Sequence, residues 1–201
     1  MNDKIEKMLK RTQIPKIYWD ARLSKIVPSK DAEKLTRFVN EIIEKGTLSS
    51  EGLYIYGAYG VGKSAAAAII LKSALSRGKF GLWTNFCDIT SYHTDEKRYR
   101  YSEAESMYDR MLSSEILVID EFSVTSKDWF PIQVIERAVR DRVRNQKPTI
   151  ITSNHSPSSL SSDSSTESRK LRVLTSGLVS IFQEAVSGVC LTGKNWRKST
   201  N

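Results

Sequence analysis

The sequence predicts an α/β domain in three layers, a parallel sheet of five strands with helices on both faces. Three observations predict it. Short apolar, β-branched runs alternate with helix-period segments along most of the 201 residues, the order that builds parallel sheets. One run, ILVID (116–120), is apolar almost throughout, as a strand buried on both faces is. A glycine-rich segment, GAYGVGKS (57–64), stands between the first strand pattern and a long helix pattern.

Residues 3 to 11 read as a short amphipathic helix, with Ile5, Met8 and Leu9 on one side and Lys4, Lys7, Lys10 and Arg11 around it, stopped by Pro15. Residues 31 to 45 set Leu35, Phe38, Val39, Ile42 and Ile43 at helical spacing, and Gly46 ends them. LYIY (53–56) is the first strand, Lys63 to Arg77 a helix, FGLWTN (80–85) the second strand and Glu103 to Leu112 a helix. ILVID follows, then a basic amphipathic helix over 131 to 145 and a further buried strand, TIITS (149–153). The stretch from 153 to 168 holds nine serines and reads as a surface loop. A helix over 167 to 185 and a strand VCLT (189–192) close the pattern.

The chain carries 31 Lys and Arg against 23 Asp and Glu, a formal charge of +8. The excess sits at the ends: residues 1 to 30 have eight basic and three acidic side chains, and residues 169 to 201 have six and one. The near-neutral middle and basic termini point to an anionic partner met by particular segments. The longest apolar run, Ala65 to Leu71, is seven residues, far below the roughly 20 of a membrane span. The start MNDKIEKMLKR lacks the apolar core of a signal peptide. Cys87 and Cys190 are isolated, which suggests neither disulfide nor zinc. A cytoplasmic protein with no membrane association is expected.

GAYGVGKS satisfies G-x-x-x-x-G-K-[ST] between a strand and a helix, the setting in which the motif cradles phosphates. Gly57, Ala58, Tyr59, Gly60, Val61 and Gly62 supply the loop, Lys63 reaches the β and γ phosphates, and the Ser64 hydroxyl is placed to hold Mg²⁺. ATP with Mg²⁺ is the expected ligand. ILVIDEF delivers Asp120 and Glu121 at the carboxyl end of its strand, Asp120 to orient Mg²⁺ and Glu121 to polarise the attacking water. Asn154, at the tip of the neighbouring strand TIITSN, is either a reader of the γ phosphate or a turn former. Lys97, Arg98 and Arg100 interleave with Tyr99 and Tyr101, a pattern able to hold unpaired bases between phosphate contacts, in a segment whose acidic neighbours also allow a plain solvated loop.

The order phosphate loop, Asp-Glu, Asn resembles the AAA+ ATPases. Within them the chain is similar to the DnaC and DnaI helicase loaders and the IstB transposition helpers, through QIPKIYWDARL (13–23), GAYGVGKS, ILVIDEF, RDRVRNQKPTIITSN (140–154) and GKNWR (193–197). The resemblance implies an αβα AAA+ domain over 14 to 197 with no helical lid, preceded by a short helix (1–13) and followed by a tail (198–201). It implies a slow ATPase acting in DNA replication, self-association into a ring or helical oligomer, and two partners: single-stranded DNA and a replicative helicase of the DnaB kind. It places Ile14, Ile17 or Tyr18 along the nucleotide, with packing on the core as the alternative. The relatives carry a helicase-gripping amino-terminal domain; here residues 1 to 11 or another protein must grip, which fits a phage or mobile-element origin. The family's arginines belong near Gly177 and Ile181, where this sequence has none, so Arg142, Arg169 and Arg172 are the candidates for an arginine finger and Arg197 for a lid-type sensor. A transposition helper that coats duplex DNA, and a nucleotide-gated scaffold with little turnover, are the alternatives.

Overall fold

The structure, a computed structural model, describes residues 3–22, 30–45, 50–86, 88–89, 107–123, 129–162 and 169–192. Helix α1 (Asp3–Arg11) and a 3-10 turn (Lys16–Tyr18) lead to α2 (Lys30–Lys45) and β1 (Gly52–Tyr56). There follow α3 (Lys63–Ser76), β2 (Gly81–Asn85), α4 (Met107–Ser113), β3 (Ile116–Phe122) and α5 (Trp129–Arg144). The chain closes with β4 (Thr149–Ser153), α6 (Pro157–Ser162), α7 (Arg169–Ala185) and β5 (Val186–Cys190). The five strands pair in parallel in the order β2-β3-β4-β1-β5. This is the expected architecture, and among the described residues no helical lid is present.

Alternation along each strand divides the core in two. Leu53 and Ile55 of β1, Trp83 of β2, Ile116 and Val118 of β3 and Ile150 of β4 face α1, α2 and α3. Tyr54, Leu82, Leu117, Ile119 and Ile151 face α4, α5 and α7. Helix α3 is apolar nearly all round, with Ala66 to Leu71 buried without a break; its alanines let it lie close on the sheet.

The edge of the sheet at β2 is covered by the chain itself. The Trp83 N–H donates to the Thr12 carbonyl at 2.8 Å, and the Gln13 amide, turned to face the Trp83 carbonyl, reaches it at 3.2 Å. Leu9 of α1 is buried in the first core cluster, so α1 packs on the domain.

Two expectations are corrected. The serine-rich stretch 153–168 is not wholly loop, because α6 forms over Pro157–Ser162: proline suits the first helical position, and Ser156 Oγ accepts the Ser159 N–H (3.2 Å) as an N-cap does. The last strand is Val186–Cys190 rather than 189–192, following directly on α7. Its Ser187 and Gly188 interrupt the apolar run that marks a strand in sequence.

Candidate functional site

The carboxyl ends of β1, β3 and β4 lie side by side and carry the candidate residues. After Tyr56 the chain turns at Gly57, whose φ is 147° and where a Cβ would lie 2.2 Å from the Leu191 carbonyl oxygen; only glycine fits. Gly62 caps α3 in the left-handed conformation at φ 96°. Between them Val61 is buried in the core and anchors the loop, while Tyr59 is 73% exposed. Lys63, only 8% exposed, folds back so that Nζ donates to the carbonyls of Gly57 (3.0 Å) and Ala58 (2.7 Å). The ammonium already sits inside the loop that the amino end of α3 opens, where phosphate oxygens would be met by amides and the helix dipole.

Asp120 is 6% exposed on β3. Its Oδ1 accepts a hydrogen bond from the Thr152 hydroxyl of β4, and the Ser64 hydroxyl lies near enough to favour the charged form of the same carboxylate. Burial raises the Asp120 pKa above the usual carboxylate range, with both hydroxyls working in the opposite direction. Ser64, at the start of α3, and Asp120, at the end of β3, offer the hard oxygen donors that suit Mg²⁺.

At Asp120 and Glu121 the ladder between β3 and β4 is irregular. Ile119 opposes Ile151, but the register shifts before Phe122 and Ser153. Glu121 lies at the shift with φ 58°, and its side chain is exposed. Such a bulge re-aims a side chain; here it lets Glu121 leave the sheet while Asp120 stays in it. Asn154 follows β4 directly, and β4 lies between the strand that leads into the phosphate loop and the strand that carries the Asp-Glu pair. Its turn is tied down on both sides: the His155 N–H donates to Ser153 Oγ (3.1 Å), and the buried Tyr54 hydroxyl donates to the His155 carbonyl (2.9 Å).

No family model matches the chain. Over 98 residues, 49% of this chain and 40% of the relative, it is 31% identical to the replicative helicase loader DnaC of Escherichia coli strain K12, and equally to that of Shigella flexneri. The match thus spans about two fifths of the curated relatives' length. Among solved structures, the DnaC helicase loader superposes with a TM-score of 0.68 at 25% identity, covering 89% of this chain and all of that one. DnaI superposes with a TM-score of 0.70 at 20% identity, over 91% and 94%. The chain is similar to the DnaC and DnaI helicase loaders, and its fold is that of an AAA+ domain. The replication initiator DnaA bound to AMPPCP and single-stranded DNA shares that fold, with a TM-score of 0.68 at 16% identity, over 90% of this chain and 52% of that one.

Within the AAA+ frame, Arg142 is corrected. It is 1% exposed, at the end of the sheet away from the phosphate loop. Its Nη1 donates to the carbonyls of Met111 (2.6 Å) and Ser114 (2.7 Å), Nη2 to that of Pro148 (2.7 Å) and Nε to Thr149 Oγ1 (3.0 Å). Burial pushes its pKa down to about 10, which leaves it charged at neutral pH. A guanidinium so held ties α5 to the end of α4 and to the starts of β3 and β4, enclosed rather than offered at the surface.

Arg169 and Arg172 lie in the first turn of α7. Gly177 lies where α5 meets α7: a Cβ there would be 2.8 Å from Glu136 Oε1, which pairs with Arg140 at 2.8 Å. Of the three residues expected along the nucleotide, Ile14 is in the core and Tyr18 rests on Trp83, with ring centroids 5.8 Å apart. Ile17 is 82% exposed. Residues 97 to 101 and Arg197 lie outside the described residues.

Sequence reasoning missed two residues. Thr152 bonds to Asp120 and Glu121, and its signal was present, two polar residues in succession inside a buried strand. Lys72, in the middle of α3, donates to the carbonyls of Tyr18 (3.2 Å), Trp19 (2.9 Å) and Ala21 (2.6 Å); burial lowers its pKa. Nothing in the sequence marks it.

Proposed function

We propose that this chain is an ATPase that places a replicative helicase of the DnaB kind on single-stranded DNA, assembling with copies of itself around ATP in the cytosol. The observation that carries the reading is a glycine-rich loop closed on its own lysine, with a buried Asp120 and an exposed Glu121 at the carboxyl end of β3, in a chain similar to DnaC.

On binding, Lys63 would exchange the Gly57 and Ala58 carbonyls for β and γ phosphate oxygens, while the loop amides and the start of α3 meet the remaining charge. Ser64 and Asp120 would hold Mg²⁺, whose charge offsets that of the phosphates. Glu121 accepts a proton from the attacking water; the water oxygen bonds to the γ phosphorus as the bond to the bridging oxygen breaks, giving ADP and phosphate. Asn154, at the end of β4, would register whether the γ phosphate is present. Arg169 and Arg172 are the candidates to act on a neighbour's site, and Lys97, Arg98, Tyr99, Arg100 and Tyr101 those for contact with DNA. The nucleic-acid part draws support from the neighbour DnaA, bound to AMPPCP and single-stranded DNA.

One observation favours a second reading. With Arg142 enclosed, a candidate for the group worth about 10³ to 10⁵ in rate is gone, as in a nucleotide-gated scaffold of little turnover. ATP hydrolysis by the wild type, Lys63→Ala and Glu121→Gln, with and without single-stranded DNA, separates them. Turnover that Glu121→Gln lowers by about 10² to 10⁴, with nucleotide binding kept in that variant and lost in Lys63→Ala, is expected. Equal low rates in wild type and Glu121→Gln under all conditions would leave the scaffold. Affinity capture with Glu121→Gln and ATP should bring down a helicase; a recombinase instead would make the chain a transposition helper.

A further inference from the structure

The carboxylates of Asp120 and Glu121 have separate tasks, yet one hydroxyl on the next strand holds both residues. Thr152 Oγ1 donates to Asp120 Oδ1 and accepts the Glu121 N–H at 3.0 Å. The side chain is 1% exposed, so no water substitutes for either bond. A threonine hydroxyl has a single proton to donate; its direction is therefore fixed, toward the carboxylate, while its lone pair faces the amide. The β-branched side chain is restricted about χ1 in a strand, which fixes where both bonds point.

The bulge gives these bonds their purpose. Between Ile119 and Phe122 the regular ladder to β4 is broken, and the backbone groups there need other partners. The adjacent hydroxyls supply them: Thr152 takes the Glu121 N–H, and Ser153 Oγ donates to the Phe122 carbonyl at 2.8 Å. Ser153 touches neither carboxylate in these bonds. Thr152 closes the bulge and grips the carboxylate at once.

We propose that Thr152 is a positioning residue of the site, setting the orientation of the Asp120 carboxylate and, through the Glu121 amide, the direction in which Glu121 leaves the sheet. The proposal rests on the reading of the site as one for ATP and Mg²⁺. Thr152 keeps one Asp120 oxygen engaged, leaving the rest of the carboxylate to act with Ser64, and it holds Glu121 at φ 58°, a conformation uncommon for a residue other than glycine. A group that orients a metal-holding side chain in this way is worth about 10- to 100-fold in metal affinity or activity.

The test compares the full chain with Thr152→Val, which keeps the shape and loses both bonds, and Thr152→Ser, which keeps both. The first readout is binding of a fluorescent ATP analogue with and without Mg²⁺. Thr152→Val should bind the analogue as the wild type does without Mg²⁺ and lose the Mg²⁺-dependent gain in affinity; Thr152→Ser should keep it. The second is the kinetic split: kcat lower by about 10- to 100-fold in Thr152→Val with KM changed less than threefold, and recovered in Thr152→Ser. Thr152→Ala carries the same expectation and decides should valine prevent folding. A Mg²⁺-dependent gain and a kcat equal to wild type in the valine or alanine variant would overturn the proposal while leaving the ATP reading intact. A wild type that binds no nucleotide at all would overturn that reading and the proposal with it.

Discussion

Arg142 and Thr152 show how differently two polar side chains can be used in one interior. Burying a guanidinium without a carboxylate is tolerated only because its donors find acceptors, and here they end on the carbonyls of Met111, Ser114 and Pro148 and the hydroxyl of Thr149. Arg142→Ala would leave these acceptors without partners in a closed space. Each costs about 1 to 3 kcal/mol when left unmade, so unfolding in denaturant should show a loss on the order of 3 kcal/mol or more. A surface role would predict a loss within about 0.5 kcal/mol. Sequence alone places Arg142 correctly on a basic helix and leaves its use open, because the helical period says which residues share a face and not how that face is turned. The turn after β1, by contrast, follows from local sequence: glycines at fixed spacing between a strand and a helix suffice for the positive φ of Gly57 and Gly62 and for the start of α3 at Lys63.

At the scale of elements, the strands and long helices follow from apolar periodicity, and the departures have specific causes. The serines of 156 to 162 looked like unstructured chain by composition, yet Ser156 and Pro157 are a helix start when taken in order. Strand β5 pairs its backbone with β1 over five residues although only part of it is apolar. The bulge in β3 could not be read at all, because it is defined by the register with β4. Neighbouring strands are also joined at their beginnings: Glu115 accepts the Phe80 N–H at 2.7 Å and pairs with Lys79 at 3.1 Å, tying β2 to β3. Burial acts to raise the Glu115 pKa, but the Phe80 amide and the Lys79 ammonium outweigh it, and the net shift is downward. A lowered carboxylate pKa stabilises the fold above its unfolded value and loses that contribution as pH falls through the folded one. Glu115→Gln should therefore melt below the wild type at about pH 7, with the gap closing by about pH 3. The effect is small, as the side chain is 42% exposed; a gap unchanged by acid would show that the charge plays no part.

For the molecule as a whole, the amino-terminal segment is part of the domain's architecture. Leu9 enters the core, and Thr12 and Gln13 close the middle of the β2 edge, which would otherwise present unpaired groups to another chain. Removing residues 1 to 13 also takes away the burial of Leu9, worth about 1.5 to 3 kcal/mol, and uncovers the core surface it packs on. Light scattering and size-exclusion chromatography should show the shortened chain aggregating at concentrations where the full chain does not; equal behaviour would mean that the edge is protected in another way. The same segment is held a second time, by Lys72, whose ammonium grips the carbonyls of Tyr18, Trp19 and Ala21. Lys72 stands on α3, nine residues after Lys63, in the helix that opens from the phosphate loop. Residues 18 to 21 are thus tied directly to the helix that begins at Lys63, so a shift of this segment pulls on that helix without passing through the sheet.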